Sequence, residues 1–320
     1  MWPWLGNPAA TAQRRDDLWR LLGPRPWREK GIDGERLDRA GSLERWRLHL
    51  NHEQAVPALL LRPGAGAAPR GVVLYCHAHG GRFEIGKDEL LAGRPALQSP
   101  PYGEALVARG WAVLAIDHWG FGERQQPSES ALVKRLLWQG ATLWGWRLHD
   151  TLAALDWLRA QPGFETVPVV ALGLSMGSTM ALWAAALDDR IAACIDLCCA
   201  AEYDALLQSG GFDGHGAYFF VPGLLREFTL AEIAALIAPR AHLSLAGRAD
   251  PLTPPAGLAA LDAALRSAYA ALGAPQRWRQ IVEPGGHAET PTMRRAVLDE
   301  LERLAADARQ GVPALPRRGH

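Results

Sequence analysis

The sequence predicts an α/β protein with a mostly parallel, doubly wound sheet, helices on both faces and a small lid insertion. Short apolar runs recur between residues 71 and 283, and several are too continuous to be half-exposed strands. Strands buried on both faces have this composition, because helices cover each side of a parallel sheet. Helical patterns separate the runs, which favours βαβ units. The length of 320 residues allows one large α/β domain or two modest ones.

Residues 1–70 are predicted to form an amino-terminal extension that packs on this core. Residues 12–22 have the apolar spacing of a helix, which a Gly-Pro pair ends. Alternating apolar residues in 42–50 (SLERWRLHL) and the run at 56–62 (VPALLLR) predict two antiparallel strands. A Gly-, Pro- and Ala-rich loop then leads into the core.

The predicted core comprises residues 71–199 and 241–308, and residues 200–240 form the predicted lid. The lid is a Gly-rich aromatic loop followed by a short helical run, and a long insertion after a buried strand is often an active-site lid. Residues 309–320 are predicted to be a disordered tail. The core strands read GVVLYC, WAVLAID, VPVVALG, IAACIDL, AHLSLAG and RWRQIVE, and the main helical patterns read YGEALVARG, LHDTLAALDWLRAQ, STMALWAAAL, LAALDAALRSAYAAL and MRRAVLDELERLAADA.

Composition excludes several classes of partner. Lys plus Arg equals Asp plus Glu at 34 each, so no general field attracts nucleic acid or an anionic membrane. The chain has neither a secretory signal nor an apolar run of roughly 18 residues, so a cytoplasmic location is expected. The four cysteines lack zinc-site spacing and are expected to be buried thiols of a reducing compartment. We expect a small-molecule partner, and the sequence leaves open whether the chain forms a homo-oligomer.

Residues 173–177 read Gly-Leu-Ser-Met-Gly and fit the G-x-S-x-G pattern. They lie between the run VPVVAL and the run STMALWAAAL, the strand–turn–helix context that a nucleophile elbow requires. Such a sharp turn needs small neighbours and places the hydroxyl of Ser175 at the positive end of a helix. A helix N-cap is the alternative role for Ser175, but this context predicts a nucleophile.

A serine nucleophile needs a base, and the base needs a carboxylate that orients it. His287 follows the last predicted strand in a loop with two glycines, so we predict it to be the base. Asp250 follows the run AHLSLAG and is the predicted carboxylate. Asp262 lies within a helical pattern and Asp117 precedes Ser175 in the chain, so both are weaker candidates.

Acyl transfer also needs two backbone N–H groups that bind the oxyanion. Met176, directly after the nucleophile, is predicted to supply one. The loop at 77–81 reads His-Ala-His-Gly-Gly, and the amide of His79 is predicted to supply the other, with Gly80 as the alternative register. Two histidines beside glycines also suggest a metal, but a third ligand at suitable spacing is lacking, so no metal site is predicted.

Three aromatic side chains are predicted to line the substrate pocket. Trp119 and Phe121 come from a Gly-punctuated loop after the run WAVLAI, and Tyr218 comes from the lid. Asp117 begins the same loop, where a structural turn is its favoured role.

Six motifs in order resemble the α/β-hydrolase superfamily, in particular the dienelactone-hydrolase and acetyl-xylan-esterase-like bacterial esterases. They are CHAHGGRFEIGKDEL, DHWGFGER, GLSMG, YFFVPGLLREF, IAPRAHLSLAGRADPLTP and EPGGHAE, and they span roughly residues 70–305. The chain order Ser, Asp, His is also that of the α/β-hydrolases. The resemblance implies hydrolysis of short acyl or acetyl esters, including sugar acetates, through a covalent acyl-enzyme and without a cofactor. Dienelactone hydrolases use cysteine where this chain has Ser175, which puts their lactone opening in doubt.

Two alternatives remain open from the sequence. The catalytic domain of prolyl oligopeptidases is similar too, so a peptidase or amidase with the same three residues is the first alternative. Those peptidases carry a propeller domain, and this chain has neither the length nor the repeats for one. The second is a non-catalytic binding protein on a hydrolase scaffold. Such proteins typically lose a catalytic residue, and here all three are present.

Overall fold

The computed structural model describes residues 2–64 and 67–310, and strands within these ranges form one nine-stranded sheet. The strands are β1 (Asp33–Ala40), β2 (Leu43–His49), β3 (Val56–Leu61), β4 (Val72–Cys76), β5 (Ala112–Ile116), β6 (Val169–Leu174), β7 (Ile191–Leu197), β8 (Ala241–Gly247) and β9 (Trp278–Glu283). Their order across the sheet is β1-β2-β3-β5-β4-β6-β7-β8-β9. The pairs β1–β2, β2–β3 and β3–β5 are antiparallel, and the other neighbours are parallel. This confirms the predicted mostly parallel α/β architecture.

Helices cover both faces of the sheet. They are α1 (Pro8–Leu22), α2 (Glu89–Ala92), α3 (Tyr102–Val107), α4 (Glu129–Trp138), α5 (Leu143–Arg159), α6 (Met176–Leu187), α7 (Tyr203–Ser209), α8 (Leu224–Glu227), α9 (Leu230–Ala235), α10 (Pro255–Ala271) and α11 (Pro291–Arg309). Helices α1, α4, α5, α6, α9 and α10 share one apolar core, whereas α2, α3 and α11 pack in the other.

Strand β4 shows why the parallel strands are rich in apolar residues. Val72, Leu74 and Cys76 belong to one core, whereas Val73 and Tyr75 belong to the other. Successive side chains of a strand point to opposite faces, so a strand that helices cover on both sides buries apolar side chains on both faces. This explains why continuous apolar runs located these strands in the sequence.

Five elements were not predicted, namely strand β1 and helices α2, α4, α7 and α8. Strand β1 reads DGERLDRA, and seven of its eight residues are exposed, so it has no apolar pattern to detect. Helix α4 begins after Ser128, whose side chain accepts a hydrogen bond from the amide of Ala131, an N-cap that sequence analysis overlooked.

Helices α7, α8 and α9 lie in the segment predicted to be a lid, and two short 3₁₀ turns lie between α7 and α8. Helix α11 extends one residue into the predicted tail, and residues 311–320 lie outside the described ranges. Among the described residues, no helix combines the length and the apolar character that crossing a membrane requires.

Candidate active site

Ser175 lies in a strained turn between β6 and α6. Its φ of 57° and ψ of −123° fall in a region that costs a non-glycine residue about 1–3 kcal/mol. The amide of Ser175 donates a hydrogen bond to the carbonyl of Leu197 at the end of β7, at 2.8 Å. The turn thereby presents the hydroxyl at the carboxyl edge of the sheet, beside the N-terminus of α6.

Two glycines are needed for this turn because backbone atoms approach them closely. A Cβ on Gly177 would lie 1.9 Å from the carbonyl oxygen of Cys76, at the end of β4. A Cβ on Gly173 would lie 2.3 Å from the carbonyl carbon of Gly177. Neither position has room for a methyl group without backbone movement, which accounts for the small residues that flank Ser175 in the G-x-S-x-G pattern.

The structure brings the three predicted triad residues into one hydrogen-bonded chain. The Oγ atom of Ser175 lies 2.8 Å from Nε2 of His287, and Nδ1 of His287 lies 2.7 Å from Oδ2 of Asp250. An ionised carboxylate only accepts hydrogen bonds, so Nδ1 carries the proton and donates it to Asp250. Nε2 is then free to accept the hydroxyl proton of Ser175.

Adjacent parallel strands explain why these residues meet. Asp250 follows β8 and His287 follows β9, and the carboxyl ends of parallel strands reach the same edge of a sheet. The carboxylate of Asp250 is fully buried, and its second oxygen accepts the amide of Leu252 at 2.9 Å. The imidazole of His287 is 27% exposed, so it is open to a substrate while its partner is shielded from water.

The loop that carries His287 is held by a buried carboxylate, Glu289, which sequence analysis missed. It accepts the amide of Gln98 at 2.8 Å and the hydroxyl of Tyr102, and it forms an ion pair with Arg294 at 2.8 Å. These contacts connect the loop after β9 to the segment before α3. The one signal in the sequence was the proximity of Glu289 to His287.

The amides predicted to bind the oxyanion are available in the structure. Met176 is the first residue of α6, and the first N–H groups of a helix have no intrahelical partner. The amides of His79 and Gly80 have no hydrogen-bond partner within residues 2–64 and 67–310. The amide of Ala78 is excluded, because it donates to the buried carboxylate of Glu89 at 3.2 Å. His79 stays the predicted second donor, with Gly80 as its alternative.

Comparison with known proteins shows the family of this chain. Residues 71–214 match the family described as the alpha/beta hydrolase fold. YtaP of Bacillus subtilis (strain 168), provisionally named a hydrolase, is 38% identical over 295 residues, which cover 91% of this chain and 99% of YtaP. The chain belongs to the α/β-hydrolase family. This confirms the resemblance that the six motifs indicated.

Solved structures of similar proteins have the same fold as this α/β-hydrolase. A glucuronoyl esterase from Solibacter usitatus superposes with a TM-score of 0.67 at 16% identity and covers 94% of each chain. A structure provisionally named acetyl xylan esterase, from Bacteroides fragilis NCTC 9343, gives a TM-score of 0.65 at 19% identity, covering 87% of this chain and 74% of its own. At these sequence identities, the similarity to the two structures shows a shared fold alone.

A partly buried ion pair beside the loop at 77–81 was not predicted. Nη2 of Arg147, on α5, lies 2.7 Å from Oε2 of Glu129, on α4. Glu129 also accepts a hydrogen bond from Nε2 of His79, at 3.1 Å. Burial disfavours the carboxylate, but the hydrogen bond from His79 and the charge of Arg147 outweigh it, so the pKa of Glu129 is lowered. The sequence carries no motif that indicates this pair.

The three predicted pocket residues differ in their surroundings. Tyr218, from the lid, stacks on the imidazole of His79 with ring centroids 4.9 Å apart. Phe121 is fully buried and packs edge-on against the same imidazole at 5.0 Å. Trp119 is buried against Trp146 at 5.1 Å, so it contributes packing behind the site rather than open surface. Lining of the pocket by these rings stays a prediction, and Tyr218 is the best placed.

The competing carboxylates take part in other interactions. Asp117 is buried in a turn, where it accepts the amides of Lys87 at 2.8 Å and Glu123 at 3.0 Å. Asp262 lies on α10 and pairs with Arg266 at 2.7 Å. Asp117 therefore has the structural role that the sequence favoured.

Two groups of metal-ligand side chains occur among the described residues, each with its donor atoms within 4.8 Å of one another. The first is fully buried, and its histidine and carboxylate are already paired at 2.6 Å. The second contains both partners of Ser175, so an ion there would compete with proton transfer. The prediction of no metal site stays untested. The groups are Cys194, Asp196 and His242, and Cys198, Asp250 and His287.

Proposed function

We propose that this α/β-hydrolase is a serine carboxylic-ester hydrolase. The observation that carries the proposal is the hydrogen-bonded chain from Ser175 through His287 to Asp250, with the serine on a strained turn. A serine hydroxyl becomes nucleophilic when an adjacent base removes its proton, and this chain of contacts supplies that base in the required tautomer.

The proposed reaction is a two-step acyl transfer. Ser175 Oγ attacks the ester carbonyl carbon while Nε2 of His287 takes the hydroxyl proton, and the amides of Met176 and His79 hold the oxyanion. The bond to the alcohol then breaks, and His287 gives its proton to the leaving oxygen. Water attacks the acyl-enzyme in the same manner and releases the acid. Asp250 stabilises the imidazolium that forms in each step and stays ionised.

Short acyl groups and carbohydrate esters are the substrates we propose. The lid ring of Tyr218 stacks over His79, which narrows the space beside the predicted oxyanion donor. Neighbours of the same fold carry the names glucuronoyl esterase and acetyl xylan esterase, which adds support for esters of sugars. A panel of esters of rising acyl length, with acetylated sugars included, tests this part of the proposal.

Covalent labelling tests the nucleophile directly. A fluorophosphonate probe should label the wild-type protein at Ser175, as mass spectrometry of the labelled peptide would show. The variant Ser175→Ala should take up no probe and lose on the order of 10⁴-fold or more in kcat on 4-nitrophenyl acetate. The exposed serine of α10 provides a matched control, since Ser267→Ala should behave as wild type.

Three outcomes would count against the proposal. An unlabelled but folded wild-type protein would favour a non-catalytic binding protein. Turnover of amides above that of matched esters would favour a peptidase or amidase. A Ser175→Ala variant that kept near-wild-type turnover would remove Ser175 as the nucleophile.

A further inference from the structure

We infer that Glu129 and Arg147 form a positioning pair that holds both oxyanion-binding amides in place. The inference rests on the proposed function. It assigns a role to two side chains, on α4 and α5, that the triad itself does not use. One ion pair, made by a fully buried arginine and a partly buried glutamate, contacts the side chains of both predicted donor residues, His79 and Met176.

His79 is held at both ring nitrogens. Its Nδ1 accepts the amide of Gly81 at 3.0 Å, so the proton lies on Nε2, which donates to the carboxylate of Glu129 at 3.1 Å. Tyr218 also stacks on the ring, and Phe121 packs edge-on against it. An imidazole fixed in this way fixes its own backbone, and the amide of that backbone is the predicted donor.

Arg147 contacts the other donor residue. Its Nη1 lies 3.3 Å from Sδ of Met176, whose amide begins α6. The remaining nitrogens donate to the carbonyl of Trp119 at 3.0 and 2.7 Å and to Glu129 at 2.7 Å. The guanidinium is fully buried. A planar group with several fixed donors holds its neighbours in one geometry, which a flexible cation cannot do.

The charges also suit this position. Oxyanion stabilisation depends on donors that are already aligned before charge develops, and a lone carboxylate nearby would oppose that charge. Arg147 compensates the charge of Glu129, so the pair orients His79 without leaving a net negative charge beside the oxyanion. Because Arg147 is fully buried, removing Glu129 would leave a buried charge uncompensated.

The closest alternative is that the pair only stabilises the fold. A structural pair would affect the unfolding midpoint and leave the kinetics of the folded enzyme unchanged. A positioning pair must weaken binding of the transition state more than binding of the substrate. The two roles therefore differ in kcat and in the affinity for a transition-state analogue.

The test compares Glu129→Gln with wild type on 4-nitrophenyl acetate. We expect kcat to fall about 10- to 100-fold, less than the loss of a whole oxyanion donor causes, while KM changes less than about twofold. The inhibition constant of a trifluoromethyl ketone analogue should rise by the same factor as kcat falls. Arg147→Met should give a similar loss, and Arg147→Lys should recover part of it, because it restores the charge.

A second buried ion pair provides the matched control. Arg124 and Asp150 are paired at 2.8 Å and are as buried as Arg147, but no hydrogen bond within the described residues joins them to His79 or Met176. Asp150→Asn should lower the unfolding midpoint and leave kcat and analogue affinity unchanged.

Each result decides a different question. Wild-type kcat and analogue affinity in folded Glu129→Gln and Arg147→Met would overturn the positioning role. If Asp150→Asn lost as much kcat and analogue affinity as Glu129→Gln, the losses would be a general effect of disrupting a buried ion pair. That result would overturn the positioning role as well. A wild-type enzyme without turnover or probe labelling would instead refute the proposed function.

Discussion

The parallel and antiparallel parts of the sheet differ in burial and in what they carry. Every residue of β4, β5, β6 and β8 is buried, and the loops after β6, β8 and β9 bring Ser175, Asp250 and His287 together. The antiparallel strands β1 and β2 are largely exposed or half-buried and contribute no residue to the site. We infer that the parallel part sets the chemistry, whereas the antiparallel part widens the sheet and adds packing.

The largest expected effect tests the parallel part. Asp250→Asn removes the charge that holds the His287 tautomer, and we expect kcat to fall about 10⁴-fold. Thermal unfolding should show a folded protein, because an asparagine is nearly isosteric with the aspartate. The corresponding change on β1, Asp38→Asn, should alter neither kcat nor thermal unfolding. Similar kcat values for Asp250→Asn and wild type would contradict the proposed role of the carboxylate.

The next effect tests the antiparallel part. Leu48 on β2 is fully buried, so Leu48→Ala should lower the free energy of unfolding by about 2–5 kcal/mol through lost burial and a cavity. The kcat of the folded enzyme should stay at the wild-type value. Urea unfolding and steady-state kinetics measure the two quantities. Leu37, which is 46% exposed on β1, is the control, since Leu37→Ala should change stability by less than about 0.5 kcal/mol.

The smallest effect is a pH dependence of stability that arises from the buried His77, in the loop at 77–81. Burial lowers the pKa of His77 to about 3 from its ordinary 6.5. The unfolded chain therefore binds a proton near pH 6.5, whereas the folded protein does not until near pH 3. Stability is thus fully present above pH 6.5 and declines as the pH falls, by up to about 1.4 kcal/mol per unit for this histidine.

Urea unfolding at pH 7, 6 and 5 measures this decline. His77→Gln removes the titrating group and keeps a polar side chain, so its stability should fall less steeply with decreasing pH. Burial also places the pKa of His118 well below its ordinary value, so part of the slope should remain. Identical slopes in His77→Gln and wild type would contradict the buried neutral state of His77.

Apolar pattern explains which parts of the fold could be predicted from the sequence. Most of the parallel strands can be recognised as apolar runs, because both of their faces are buried against helices. Strand β1 could not be found in this way, since its pairing with β2 uses backbone hydrogen bonds and leaves charged side chains in water. Its place in the sheet depends on a partner strand and not on its own composition.

The residues of the site could also be predicted only where the sequence has a local pattern. Ser175, Asp250 and His287 could be proposed because each follows a recognisable strand in a fixed chain order. Glu129 and Arg147 could not, because they lie within helices and meet His79 only through the packing of α4 and α5. Contacts between distant helices leave no local pattern, so residues that support a site are harder to find than those that follow its strands.

Strand β1 also bears on self-association. An edge strand offers unpaired backbone groups to a second molecule, and long flat edges invite aggregation. Here most residues of the strand are charged and exposed, and the register shifts between Arg36 and Asp38, which breaks the regular ladder. A second copy that added its own strand here would have to desolvate these charges and would meet an irregular template. This edge is therefore poorly suited to extending the sheet into polymers.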